Sequence, residues 1–112
     1  MPTLQVNGIE VNYTQEGQGD PLVLVHNLIA SSRAYDFNAP VFAKYFRTIR
    51  YDLRGHGLSS RTESWDEKNY YTFDNLAEDL YQLLKALNVD SCYLLGQAYW
   101  GVGIITSFYA RH

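Results

Sequence analysis

Apolar and polar residues alternate through Leu4-Gln5-Val6 and again through Ile9-Glu10-Val11-Asn12-Tyr13, on either side of Asn7-Gly8. Alternation with a period of two marks a strand with one buried face, and Asn-Gly is the strongest short signal for a tight hairpin turn. An antiparallel β-hairpin is therefore predicted to open the chain. Gly17-Gln18-Gly19-Asp20-Pro21 breaks the pattern as a turn. Leu22-Val23-Leu24-Val25 is instead a continuous apolar run, as expected of a central strand covered on both faces in a parallel sheet. His26–Ser32 reads as a loop, with Ser31 or Ser32 placed to cap a helix through Arg33–Tyr45. Pro40 should interrupt or restart that helix, with Asn38 or Ala39 just before it.

The segment Phe46–Leu53 supplies the next strand, centred on Arg47-Thr48-Ile49-Arg50-Tyr51, and Asp52–Ser60 follows as a polar, glycine-bearing loop. Residues 61–71 read as surface loop. From Phe73 onward, Phe73, Leu76, Ala77, Leu80, Leu83, Leu84 and Leu87 recur at helical spacing, with Asp74, Glu78, Asp79, Gln82 and Lys85 filling the other side. The acids sit toward the N-terminal half of this amphipathic helix and Lys85 near its C-terminal end, an arrangement that suits the helix dipole, and Asn88 supplies a stop. Asp90-Ser91 leads into an apolar strand at Cys92–Leu95, an abrupt turn, and a helix through Val102–Arg111. Strands alternating with helices predict a three-layer α/β sandwich: a mostly parallel sheet opened by an antiparallel hairpin, in one domain over residues 1–112.

Composition narrows the picture without redirecting it. Hydrophobic residues are 46% and charged residues 19% of the 112, which is globular rather than disordered. Nine Lys and Arg stand scattered against twelve acids, for a formal net charge of -3. That balance offers neither a basic patch for nucleic acid nor a polybasic membrane segment, so both partners are excluded. Cys92 is the only cysteine, which rules out an intrachain disulfide and suits a reducing cytoplasm. Its place in an apolar strand points to a buried, inert thiol. No basic stretch followed by an apolar core marks the N-terminus, and no apolar run approaches the roughly 20 residues that span a bilayer. The ten tyrosines are dispersed and read as amphipathic packing residues, a few of them lining a pocket.

Three blocks carry a resemblance: the apolar strand ending in His26; Asp52-Leu53-Arg54-Gly55-His56-Gly57-Leu58-Ser59; and Leu94-Leu95-Gly96-Gln97-Ala98-Tyr99-Trp100-Gly101. With these at their present spacing, the chain resembles the N-terminal half of an α/β-hydrolase-fold protein. In that family the strand–turn–helix is the nucleophile elbow, G-x-S-x-G, and two backbone N–H groups form the oxyanion hole. Carried over, the elbow covers Gly96–Gly101, the vacated nucleophile position is Ala98, and the two donors are Leu28 and Tyr99. The resemblance also implies a strand order of 1-2-4-3-5, with the Cys92–Leu95 strand at an edge. The family's acid and histidine come later in the chain than its serine. This sequence stops at His112, one helix past the elbow, and His26 and His56 sit in loop motifs where a structural role is expected, so no triad can be assembled from it.

The departures from the family pattern surround one pocket. Ala98 has no hydroxyl and cannot form an acyl-enzyme. Asn27 follows His26 where the family has glycine; asparagine tolerates left-handed backbone geometry and adds an amide to the pocket. Trp100 replaces a glycine associated with close strand–helix approach, so it should shift the elbow or push its indole into the pocket. Alanine alone would read as a silenced nucleophile. Taken together, the three read as a pocket rebuilt, naturally or by engineering, around His26, Asn27 and Trp100 for a small-molecule substrate or ligand. The implied function is a chain of ester-type hydrolase ancestry that is not competent for serine hydrolysis by itself. The alternative is an inactive scaffold or half-domain that binds a small molecule, self-associates, or pairs with a C-terminal half through the Cys92–Leu95 edge. No metal or cofactor is implied.

Overall fold

The computed structural model describes residues 2–27, 30–59, 72–96 and 98–111, without the side chains of residues 98–100 and 111. Strands β1 (Thr3–Val6) and β2 (Ile9–Glu16) form the opening hairpin. Asn7 and Gly8 both take positive φ, 50° and 76°, which lets the two-residue turn follow the strand twist. Asn7 also anchors the hairpin: its N–H donates to Gln82 Oε1 at 2.7 Å and its side-chain amide to Asp79 Oδ1 at 2.9 Å. Strand β2 then changes partner. Residues 9–12 pair with β1, and Tyr13–Glu16 pair antiparallel with β4 (Arg47–Tyr51).

Strand β3 (Pro21–Val25) lies between β4 and β5 (Tyr93–Gly96) and runs parallel to both, giving the order β1-β2-β4-β3-β5. Its apolar run is covered on both faces, as the continuous pattern predicts: Val23, Leu24 and Val25 are fully buried. Val23 and Val25 join the larger core with Ile49, Tyr51 and Leu76. Leu22 and Leu24 face the opposite layer, against Tyr35, Ala39, Phe42 and Phe46.

Helix α2 (Phe73–Ala86) packs on the first face beside α3 (Ala98–Arg111). It buries Leu76, Ala77, Leu80 and Leu83 completely, at the spacing the sequence shows. Burying each leucine contributes about 1.5–3 kcal/mol. The Thr72 hydroxyl caps its start by accepting the Asn75 N–H at 3.1 Å, and Asn88 ends the turn beyond it at φ 58°.

On the other face the predicted helix over 33–45 is divided. A 3-10 turn at Ser32–Tyr35, with Ser31 Oγ accepting the Arg33 N–H at 3.2 Å, is followed by a separate one-turn helix, α1 (Ala39–Phe42). Pro40 explains the break. It has no N–H to give to the preceding turn, so the chain restarts with proline in the first turn, where none is required.

The last strand begins one residue later than its sequence pattern suggests, and α3 begins at Ala98 rather than Val102. Tyr93 and Leu95 remain 60% and 40% exposed along the sheet edge. Among the described residues, no helix is long and apolar enough to cross a membrane.

Candidate functional site at the C-terminal ends of the strands

Parallel β3, β4 and β5 end on the same side of the sheet, so the loops that follow them converge there, the usual place for function in an open α/β sheet. At the β5–α3 turn, Gly96 and Gly101 lie against each other. A Cβ on Gly101 would come within 2.8 Å of the Gly96 carbonyl carbon, and one on Gly96 within 2.8 Å of the Gly101 carbonyl group. Strand and helix approach closely because neither residue has a side chain. The glycine in this contact is Gly101, one residue beyond the position that Trp100 occupies. Ala98, Tyr99 and Trp100 form the first turn of α3. Leu28 lies outside the described residues.

The 52–59 loop is built around one carboxylate. Asp52 Oδ1 accepts the Ser32 N–H at 2.7 Å, and Oδ2 accepts the Asn12 side-chain amide at 2.8 Å and the Leu58 N–H at 3.0 Å. Burial works to raise its pKa, but the bonds from Ser32, Leu58 and Asn12 outweigh it and hold the carboxyl below its ordinary value. Gly57, at φ 49°, has no room for a Cβ, which would collide with that carboxylate. Ser59 Oγ donates to the Asp52 carbonyl at 2.7 Å and accepts the Asn12 N–H at 2.9 Å. Arg54 reaches α2, giving Nε and Nη2 to the two Asp79 oxygens at 2.6 and 2.7 Å in a pair only 5% and 1% exposed. The polar residues of this sequence block thus fix the loop itself and tie it to the helix behind.

His26 joins the loop after β3 to this assembly. It is fully buried, and its Nε2 takes the Leu53 N–H at 2.9 Å. A backbone N–H can only donate, so Nε2 is unprotonated, and Nδ1 carries the hydrogen given to the Asn27 carbonyl at 2.7 Å. Burial lowers the His26 pKa below 6.5; the Asn27 carbonyl opposes this, and the ring of His56, 5.2 Å away, reinforces it. With both nitrogens committed to main chain, His26 has the structural role expected of it. Asn27 does not use the conformational licence of its residue type: among the described residues, the non-glycine positions at positive φ are Asn7 and Asn88. Its carbonyl also accepts the Ala30 N–H at 3.2 Å.

Two residues essential to this architecture stand out in the sequence only faintly. Asp79 falls three residues after Leu76 and four before Leu83, on the apolar stripe of α2 rather than on its polar side, and an acid there requires a buried partner. Asn12 is a buried polar residue in β2. Cys92 is half-buried, and burial raises its thiol pKa, which keeps it protonated and inert. No group of three or more His, Cys, Asp or Glu side chains among the described residues could hold a metal ion.

The sequence profile of the alpha/beta hydrolase fold matches residues 20–112. The chain belongs to the α/β-hydrolase fold family. Among its relatives in the family, non-heme chloroperoxidase CPO-A1 of Kitasatospora aureofaciens is 36% identical over 108 residues, covering 95% of this chain and 37% of that protein. N-formylmaleamate deformylase of Pseudomonas putida is 34% identical over 96 residues, covering 85% of this chain and 34% of the relative. The crystal structure of the F128A mutant of a Bacillus megaterium epoxide hydrolase, complexed with its product, superposes with a TM-score of 0.86 at 31% identity, over 98% of this chain and 37% of that one. The chain therefore spans little more than a third of the length of these family members.

Proposed function

We propose that the Gly96–Gly101 turn is the reaction-centre turn of this chain and that, with Ala98 in the nucleophile position, it does not carry out serine hydrolysis by itself. The observation that supports this placement is the Gly96–Gly101 contact at the C-terminal ends of the parallel strands. On this reading the Leu28 and Tyr99 N–H groups form the oxyanion hole, and backbone donors survive a change of side chain. A methyl group at position 98 leaves no oxygen to acylate. Ala98, Asn27 and Trp100 then belong to a pocket rebuilt for a small molecule, with the indole as a stacking surface; His26, fully buried with both ring nitrogens on main chain, stands behind it and does not line it. The relatives carry the names of a chloroperoxidase, a deformylase and an epoxide hydrolase, so family membership alone does not assign the reaction.

Stopped-flow mixing with p-nitrophenyl acetate tests the first part: no burst of nitrophenolate is expected, and a stoichiometric burst overturns it. Ala98→Ser combined with Trp100→Gly, assayed in the presence of a C-terminal half, should restore ester turnover; if this double change has no effect, the assignment of the turn fails. For the pocket, Trp65→Phe removes the background tryptophan, and small aromatic compounds should then quench Trp100. Fluorescence that does not respond counts against an indole-lined site.

A second reading rests on the exposure of Tyr93 and Leu95 at the β5 edge. An unpaired apolar edge invites a further strand. On this reading the chain is a scaffold that pairs through β5 with a second copy of itself or with a C-terminal half.

A further inference from the structure

The loops after β3 and β4 are joined by two hydrogen bonds that run in opposite directions. From the first loop the His26 ring crosses to accept the Leu53 N–H at 2.9 Å, and from the second the Asp52 carboxylate crosses back to accept the Ser32 N–H at 2.7 Å. Both side chains are buried, at 0% and 2% exposure, and neither belongs to the two apolar clusters that hold the sheet to its helices. The first bond depends on an acceptor that a proton removes, whereas a protonated carboxyl keeps a carbonyl oxygen that still accepts. An imidazolium has no acceptor nitrogen, so a protonated His26 sets one N–H against another. The Asp52 carboxylate has two further donors, Asn12 and Leu58, to keep it ionised.

We propose that this reciprocal pair is an acid-sensitive latch, in which mild acid opens the His26–Leu53 half while the Asp52–Ser32 half and the sheet stay closed. The charged and titratable groups that act on His26 are His56 and Asp52 from the 52–59 loop, and Tyr35 of the 3-10 turn lies beside the neighbouring residue, Val25. The Tyr35 hydroxyl donates to the Val25 carbonyl at 2.9 Å, and burial pushes its pKa up to about 12. Arg54, in the same loop, is engaged with Asp79. Asp52 favours a proton on His26, whereas burial and His56 oppose it, so the ring titrates below 6.5. Burial works to raise the Asp52 pKa, but the bonds from Ser32, Leu58 and Asn12 hold that carboxyl below its ordinary value. The latch is independent of what binds or reacts at the β5–α3 turn. It bears on that turn because Leu28, the expected oxyanion donor, follows directly after Asn27, whose carbonyl His26 holds.

The test is amide hydrogen exchange by NMR on the 15N-labelled chain between pH 7.5 and 4.5, with the His26 ring shifts reporting its titration. After correction for intrinsic exchange, Leu53 should lose at least tenfold protection in step with the His26 titration, while Ser32, Val23 and Ile49 keep theirs. Leu53 staying protected after His26 is protonated overturns the proposal, as does Leu53 losing protection together with Val23 and Ile49. His26→Gln supplies an acceptor that does not titrate, so its Leu53 amide should stay protected throughout. The same step in this variant also overturns the latch, and if the variant fails to fold, the parent titration decides alone.

Discussion

Replacing Gly101 by alanine sets two well-calibrated effects against each other. In an exposed helix interior, alanine in place of glycine stabilises by about 1 kcal/mol. In α3, however, the added methyl would stand 2.8 Å from the Gly96 carbonyl carbon and 2.9 Å from its Cα. Carbon atoms pack best at roughly 3.5–4.0 Å, so helix and strand must separate by the better part of an ångström. Both obstructing atoms are main chain in a strand paired with β3, and no rotamer change relieves them. Overpacking typically costs about 1–3 kcal/mol, and a clash between backbones belongs at the upper end. Subtracting the helix gain leaves a net loss of about 2 kcal/mol. Urea unfolding followed by far-UV circular dichroism reads this directly: at a slope of about 1–3 kcal/mol/M, the midpoint falls by roughly 1 M. Gly103→Ala is the internal comparison, because its methyl meets the ring of Phe73, a side chain that can turn aside. Its midpoint should move less. A Gly101→Ala chain as stable as the parent would refute the close approach of β5 and α3, and with it the placement of the turn.

Other measurements probe the remaining supports. Arg54→Leu leaves the Asp79 carboxylate buried without its guanidinium and should cost about 3–5 kcal/mol in urea unfolding, whereas Arg54→Leu with Asp79→Leu should lose much less; strictly additive losses would contradict the pairing. His26 is neutral in the fold, with its pKa held below 6.5, so between that folded value and 6.5 it is the unfolded chain that binds the extra proton. Its contribution is therefore complete above about pH 6.5 and declines on acidification by up to about 1.4 kcal/mol per pH unit. His26→Gln should flatten the stability profile between pH 7 and 5, and an unchanged slope would dismiss the assignment. If β5 pairs through its edge, sedimentation velocity at micromolar concentration should reveal dimers of the isolated chain, and Leu95→Lys should dissociate them; a monodisperse, folded parent monomer rules this out.

Much of the architecture could be read from periodicity because the elements concerned are governed locally. Asn7-Gly8 encodes its own turn, the bounds of β4 follow directly from its residue pattern, and the leucines of α2 declare the buried face. The segment 33–45 was harder. A helical composition and a proline are both present, and which of them prevails depends on whether the backbone donor at position 40 is required. The turn at Gly96–Gly101 can be located from its glycines, yet which glycine touches the strand is a matter of helix phase, set only when α3 starts at Ala98. The block from Asp52 to Ser59 is conspicuous as a motif, but its purpose is hidden because the partners of its side chains, Asn12, Ser32 and Asp79, lie 40, 20 and 25 residues away from them in the chain.

The way Asp52 holds its loop also bears on how freely that loop can vary. At Leu58 it takes only the backbone N–H, and the leucine side chain is 71% exposed to solvent. Every amino acid except proline offers the same N–H. The surface displayed at position 58 can therefore be rewritten, by drift or by selection for a new ligand, without loosening the carboxylate beneath it. Variation at this end of the sheet is in that sense cheap where it is visible, and constrained at the buried residues that set the loop's course.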